Sequence, residues 1–384
     1  MATPQKPRKI GLVIDTSLDP TDGVQQYVLS IGDWLSQQGH DVHYLAGQTD
    51  KRKLPNLHSL SRNITVSFNG NRTTIPLPTS RRKLRNFIQK EQFDVLHVQT
   101  PHHPLMAQRL ILAASPQTAV VGTFHILPYG ALSRIGTRLL GWWLRPSLKR
   151  FDKMLAVSPV AAEFEKTSFG LDADVLPNVV DYNLFHNAKP LPGYADDTLT
   201  ILFLGRLVPR KGCQLLLEAV ALLAQKPDLP KFRVVVCGRG QLESSLKQLV
   251  AQHDLQDIVE FTGFVSEENK PRYYASADIS VFPSSGGESF GIVLLEAMAS
   301  GQAALLAGDN PGYRSVLSTN PDLLFDPKNA SQLAKKIETL LVDSKKRQAS
   351  QAWGAEFTKD FDVGVVGAKL LTIYEQALRK RRGA

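Results

Sequence analysis

Apolar residues in the first half of the chain fall into short runs separated by polar turns and helix-length segments. Ile10-Gly-Leu-Val-Ile14 is the first run, and Val42–Ala46, Phe93–Val98 and Ala119–Phe124 repeat it, with Met154–Ser158 and Asp174–Pro177 completing the half. Such runs fill strands buried on both faces of a parallel sheet. Between the first two, Val24, Val28, Ile31 and Leu35 recur at helical spacing, and Gly39 stops the segment. Strand, helix and strand on short turns predict an α/β unit with right-handed crossovers.

The stretch 182–198 breaks the rhythm with Pro190, Pro192, Gly193, Asp196 and Asp197, and reads as a linker. Strands are then predicted at 199–204, 232–237, 258–261, 279–282 and 303–306. Helices are predicted at 212–225, 241–252, 269–276, 289–300, 330–342 and 345–358. Because 384 residues exceed a comfortable single core, two doubly wound α/β domains are expected, 1–190 and 191–360. The amphipathic segment 361–384 either caps the second or crosses back to the first, and its basic end, Arg379–Arg382, reads as a disordered tail.

Composition narrows the class. Hydrophobic residues are 43% and charged residues 21%, which excludes fibrous, coiled-coil and wholly disordered chains. Cys213 and Cys237 are too few for a disulfide framework and read as small buried hydrophobes. No apolar leader or spanning run of 18 residues occurs, so a soluble, cytoplasmic protein is expected. The net charge of +9 is lopsided: residues 1–190 hold 22 Lys/Arg against 14 Asp/Glu, whereas 191–384 hold 23 against 22. A basic half attracts nucleic acid, an anionic membrane or a phosphorylated ligand, and composition does not choose among them.

The candidate chemistry lies just past the carboxyl ends of the predicted strands, where doubly wound sheets bind ligands. Gly23, in Pro20-Thr-Asp-Gly-Val24, lets the backbone approach a phosphate or sugar, although the Gly-x-Gly-x-x-Gly fingerprint is absent. Arg206, Arg210 and Lys211 follow the strand ending at Leu204 and suit a diphosphate; Arg206 and Lys211 are the stronger candidates, and Arg210 reads as exposed. Gly238, in Cys-Gly-Arg-Gly240, would shape the same pocket. The segment Phe282-Pro-Ser-Ser-Gly-Gly-Glu288-Ser-Phe-Gly-Ile-Val-Leu-Leu-Glu296 predicts a strand, a glycine-rich loop and a helix. Amides near Ser289, Phe290 and Gly291 would hold an anion at the helix start. Glu288 and Glu296, two turns apart, would accept from sugar or ribose hydroxyls; Glu296 sits among apolar residues and needs a partner.

His125 ends Gly-Thr-Phe-His, where an imidazole can donate to a hydroxyl or phosphate. His97, His102 and His103 have no matched carboxylate spacing, so no metal is expected. Basic clusters stand at Lys51–Lys53, Arg81–Lys83 with Arg85, and Lys149-Arg150. Leu84, Phe87 and Ile88 add a partial apolar stripe to the second cluster, the pattern of a helix lying on an anionic bilayer. Trp142-Trp143, flanked by Arg138 and Arg145 and beside Leu139, Leu140 and Leu144, either anchors at an interface, lines an acceptor-tail groove or is buried.

Gly23-Val24, the loop Gly205-Arg206…Lys211-Gly212 and Glu288-Ser-Phe-Gly-x4-Glu296 together resemble the retaining glycosyltransferase family 4 over nearly the whole chain. Within it, the sequence Val281–Val293, with Ile75-Pro-Leu-Pro78 and Phe93–His97, is most similar to the branch that mannosylates phosphatidylinositol. The resemblance implies a GT-B fold: two Rossmann-like doubly wound domains facing across a cleft, the first holding the acceptor and the second the nucleotide sugar. It implies that Arg206 and Lys211 bind the donor diphosphate, Glu288 and His125 the transferred sugar, and Glu296 the ribose. Gly238 and Ser289, Phe290, Gly291 and Ile292 would line the donor, with Gly23 beneath the diphosphate once the domains close.

The chain departs from the family at Asp22-Gly23, where two glycines are usual, and at Pro177-Asn-Val-Val-Asp181, where Pro-Asn-Gly-Val-Asp is usual. The expected activity is metal-free, retaining transfer of mannose from GDP-mannose to phosphatidylinositol, with the enzyme held peripherally on the anionic inner face of the plasma membrane. The alternative is a UDP-sugar transferase acting on diacylglycerol or a soluble acceptor. A nucleic-acid-binding protein is the non-enzymatic alternative.

Overall fold

A computed structural model describes residues 6–20, 22–50, 52–68, 71–125, 127 and 131–383. Thr21 of the first glycine loop and Lys51 of the first basic cluster lie outside the described residues, as do the side chains of Ile75, Arg138 and Leu139.

The chain divides into two compact units, the first comprising residues 1–179 with 363–384 and the second Val180–Asp362. In chain order the first unit runs β1 (Lys9–Ile14), α1 (Gly23–Gln37), β2 (Asp41–Gly47), β3 (Leu57–Ser61), β4 (Asn63–Phe68) and β5 (Asn71–Pro76). It continues with α2 (Arg81–Glu91), β6 (Val95–Gln99), α3 (Met106–Ala113), β7 (Ala119–Phe124), α4 (Ala131–Leu148), β8 (Lys153–Ala156), α5 (Pro159–Phe169) and β9 (Asp174–Val175). Among the described residues, seven of these strands form a parallel sheet ordered β3-β2-β1-β6-β7-β8-β9. The antiparallel hairpin β4–β5 stands apart. The order reverses at β1, the topological position beside which α/β sheets bind ligands.

The second unit begins with α6 (Tyr182–His186), β10 (Leu199–Leu204), α7 (Cys213–Ala224), β11 (Phe232–Cys237), α8 (Glu243–Gln252), β12 (Val259–Gly263) and α9 (Lys270–Ala275). It ends with β13 (Ile279–Phe282), α10 (Ile292–Ala299), β14 (Ala304–Gly308), α11 (Pro311–Val316), β15 (Leu324–Phe325), α12 (Ala330–Val342) and α13 (Ser344–Thr358). Its described strands form a parallel sheet ordered β12-β11-β10-β13-β14-β15, which reverses at β10. Ile201, Phe203, Val234, Val236, Ile279 and Val281 bury one face of it against Leu216, Leu217, Val220 and Leu223 of α7. Cys213 and Cys237 are buried, free thiols within this core.

The last helix, α14 (Val363–Arg382), belongs to the first unit. Val366, Leu370, Leu371, Tyr374, Ala377 and Leu378 pack into the same core as Ile10, Leu12, Ile31 and Val121. Its basic end is not a loose tail. Arg381 meets Asp152 at 2.5 Å, Arg382 meets Asp94 at 3.0 Å, and Glu375 accepts two bonds from Arg8 at 2.8 and 2.9 Å. The stretch 182–198 is likewise not a plain linker. It belongs to the second unit and holds α6, whose first turn Asp181 caps through the Leu184 amide at 3.0 Å.

Candidate active site

In the second unit, two loops that leave neighbouring strands are knitted together. The Arg210 carbonyl accepts from the Ser285 amide at 2.9 Å and from Ser284 Oγ at 3.0 Å. Asn310 Nδ2 donates to the Ser284 carbonyl at 2.9 Å, tying the second loop to the start of α11. The loop after β11 joins them at Gly238, whose φ is +145° and where a β-carbon would stand 1.9 Å from the Gly205 carbonyl oxygen. Only glycine permits that approach, so this position fixes the spacing of the loops.

Glu288 sits where these loops converge. One oxygen, Oε1, accepts from Arg210 Nη1 at 2.7 Å, Lys211 Nζ at 2.9 Å and Ser284 Oγ at 2.9 Å. Burial pushes the carboxyl up, but Lys211 and Arg210 outweigh it and hold Glu288 below the usual carboxylate range. Two cations on one carboxylate leave a net positive loop able to receive an anion. Arg210, expected to be exposed, is thus a half-buried member of the cluster. Arg206 is half-buried directly beyond β10.

Helix α10 starts at Ile292, three residues later than expected, because Gly291 adopts φ +105° over the Tyr313 ring. Ser289 and Phe290 therefore precede the first turn, and their amides are not those of the helix N-terminus. Phe290 is buried, with its ring 6.1 Å from that of Phe361, and Ile292 is half-buried.

Glu288 and Glu296 do not share a helix face, since only Glu296 is helical. Glu296 is buried, as its apolar neighbours require, and its partner is Lys270 at the start of α9, 2.6 Å away. Tyr274 donates to its other oxygen at 3.1 Å, and Glu267 meets the same lysine at 2.6 Å. Burial raises the Glu296 carboxyl above its usual range and Lys270 counters that rise. Lys270 and Tyr274 escaped the sequence reading because 26 and 22 residues separate them from Glu296.

In the first unit, Gly23 is the half-buried first residue of α1, behind an exposed Asp22 at the N-cap. His125 follows β7 and is buried; its Nε2 lies 2.6 Å from Oε1 of Gln99, the last residue of β6. The Asn178 side chain favours the protonated ring, and Tyr27 meets it edge-on at 5.1 Å. Burial lowers the His125 pKa to about 3, so the imidazole is neutral. His97 is a core residue that bridges Thr123 at 2.6 Å and Tyr374 of α14 at 2.7 Å. Among the described residues no three His, Cys, Asp or Glu side chains are grouped as metal ligands.

The basic surface divides by role. On α2, Leu84 and Ile88 are buried in the core, so the expected apolar stripe faces inward, while Arg81, Arg82, Lys83 and Arg85 are exposed. Arg150 is structural, donating to the carbonyls of Ser115 and Thr118 at 2.7 and 2.9 Å. Trp142 and Trp143 on α4 are 72% and 60% exposed, which excludes the buried reading, and Arg145 and Lys149 flank them in the open. No described helix is long and apolar enough to cross a membrane.

Two family models match: "Glycosyltransferase Family 4" over residues 21–184 and "Glycosyl transferases group 1" over 188–355. A phosphatidyl-myo-inositol mannosyltransferase of Mycolicibacterium smegmatis is 34% identical over 372 residues, covering 96% of this chain and 93% of the relative. The enzyme of that name from Mycobacterium tuberculosis is 32% identical over 384 residues, covering 96% of each. Among solved structures, a glycosyltransferase of Rickettsia africae superposes with a TM-score of 0.73 at 18% identity, covering 98% of this chain and 100% of that one. A sucrose-phosphate synthase of Thermosynechococcus elongatus gives 0.69 at 19%, covering 96% and 98%; likeness at this identity speaks for the fold alone. The chain therefore belongs to glycosyltransferase family 4, and is a glycosyltransferase of GT-B fold closely related to the phosphatidyl-myo-inositol mannosyltransferases.

Proposed function

We propose that this enzyme transfers mannose, with retention of the α configuration, from GDP-mannose to phosphatidyl-myo-inositol at an anionic membrane surface on the cytoplasmic side. The observation that carries the reading is end-to-end likeness, at 31–34% identity, to several enzymes that bear this activity in their names. In this reading the second unit holds the nucleotide sugar and the first holds the lipid headgroup.

Arg206 and Lys211 bind the diphosphate, with Arg210 completing the positive loop around Glu288. Glu288 accepts from hydroxyls of the transferred mannose. Glu296 keeps lone pairs beyond those used by Lys270 and Tyr274, and these serve the ribose hydroxyls. Gly238 and residues 289–292 line the donor, Gly23 lies against the diphosphate, and His125 orients the sugar. In the reaction the acceptor hydroxyl oxygen attacks the anomeric carbon from the face the diphosphate leaves. The bond from that carbon to the β-phosphate oxygen breaks, and the hydroxyl proton passes to a diphosphate oxygen. No carboxylate nucleophile and no metal is required, because the arginines and Lys211 stabilise the charge that develops on the leaving group. The exposed cations of α2 and the Trp142–Trp143 pair, flanked by Arg145 and Lys149, meet the anionic bilayer.

Thermal unfolding with nucleotides tests the donor half of this reading. GDP at a hundred times its dissociation constant should stabilise the protein by about 2.7 kcal/mol, with UDP far weaker at the same concentration. Equal stabilisation by UDP would contradict the guanine donor.

A further inference from the structure

Gln99 and His125 end adjacent parallel strands, β6 and β7, whose register pairs Gln99 with Thr123. Gln99 is fully buried, and its Oε1 lies 2.6 Å from His125 Nε2. A carboxamide oxygen only accepts, so this contact requires the imidazole proton to sit on Nε2. Among the described residues the amide nitrogen of Gln99 has no hydrogen-bond partner. Buried amides normally spend both ends on hydrogen bonds. Gln99 spends its oxygen alone, and spends it on this histidine. Among the titratable groups around the ring, His97 on β6 and His102 in the loop after β6 are both held neutral by burial, while Tyr27 of α1 packs against it.

We infer that Gln99 is a positioning residue for the transfer reaction: its side-chain oxygen locks His125 as the neutral Nε2–H tautomer and sets the plane of its ring. The role is one step removed from the substrate and rests on the reading that His125 orients the sugar. A neutral, fixed imidazole offers a hydroxyl one defined donor or acceptor direction, whereas an imidazolium beside a leaving diphosphate would form an ion pair instead.

Long-range ¹H–¹⁵N correlation spectra of histidine-labelled protein, assigned by loss of the signal in His125→Ala, read the tautomer without reference to any substrate. The wild-type ring should carry its proton on Nε2 and remain neutral from pH 8 to pH 5. A proton on the other nitrogen, or a titration midpoint near 6.5, would overturn the proposal. Gln99→Glu should form an ion pair and move the midpoint up by at least two pH units, adding a matching limb to the kcat profile. Gln99→Met, of similar size, should scramble the tautomer and lower kcat tenfold or more with the donor KM changed less than twofold. Transfer at wild-type kcat in Gln99→Met, while His125→Ala is inactive, would overturn the positioning role. Full activity in His125→Ala would instead remove the reading beneath it, and the proposal with it.

Discussion

Replacing Lys270 by methionine isolates the charge pair on which α9 and α10 meet. Lys270 and Glu296 are 2.6 Å apart with side chains 6% and 4% exposed, so neither can hydrate once its partner is gone. In Lys270→Met the Glu296 carboxylate keeps only the Tyr274 hydroxyl, at 3.1 Å. Stranding one member of a buried pair costs about 3–5 kcal/mol. The second unit spans 183 residues from Val180 to Asp362. For that size each kcal/mol moves the midpoint by about 2–4 °C. A fall of about 6–20 °C in its transition follows, read by calorimetry at pH 8. Without the lysine the folded-state pKa of Glu296 rises further above its unfolded value. The added loss is therefore small below that unfolded value and grows as pH rises towards the folded one. The double variant Lys270→Met/Glu296→Leu should recover part of the loss, since it removes both buried charges; the Tyr274 hydroxyl goes unmet, worth about 1–3 kcal/mol, and Glu267, which also loses Lys270, is 37% exposed and can hydrate. A single variant within about 1 kcal/mol of wild type, or a double variant losing as much as the single, would refute the reasoning.

Three other perturbations follow from the same structure. Glu165 on α5 is fully buried, neither oxygen is hydrogen-bonded among the described residues, and burial raises its pKa to about 8. Its raised value makes the first unit lose stability as pH rises between the ordinary glutamate range and 8, by up to about 1.4 kcal/mol per pH unit. Glu165→Gln should abolish that component, so chemical denaturation at pH 5 and pH 9 must show the variant gaining on wild type at the higher pH. Tyr374→Phe removes the 2.7 Å bond to His97 and should cost the first unit about 1–3 kcal/mol, measured by urea unfolding; an unchanged midpoint would mean that α14 is held by its apolar face alone. Trp142→Ala/Trp143→Ala should lower binding to phosphatidylinositol vesicles by tenfold or more in sedimentation while leaving donor binding intact, and equal sedimentation would place the membrane contact elsewhere.

The strands were legible because buried parallel strands are written as unbroken apolar runs, as in Ile10–Ile14 and Phe232–Cys237. β3 and the β4–β5 hairpin were not, because Leu57–Ser61 and Asn63–Pro76 are rich in Ser, Thr and Asn and show no clean period. Helix α6 was hidden inside a proline-rich polar stretch, where a five-residue helix leaves no amphipathic signature. In the site, sequence could name Glu288 and Lys211, and could say that Glu296 needed a partner. Which partner was set by the sheet order, which brings together groups far apart in the chain: Arg210 and Glu288 are 78 residues apart, and Tyr374 and His97 are 277. Spacing encodes neither. The inward turn of Leu84 and Ile88 on α2 was open for the same reason, since an apolar stripe has the same pattern whether it meets a core or a bilayer.

Donor and acceptor are both read by the transfer reaction itself. Purified enzyme is incubated with GDP-mannose or UDP-glucose and with vesicles carrying phosphatidylinositol or diacylglycerol, and lipid products are identified by mass. A mannosylated phosphatidylinositol, with the α linkage, should form from GDP-mannose and phosphatidylinositol alone, and should be lost in Lys211→Ala. A glucosylated diacylglycerol from UDP-glucose, with no mannolipid, would contradict the proposed function.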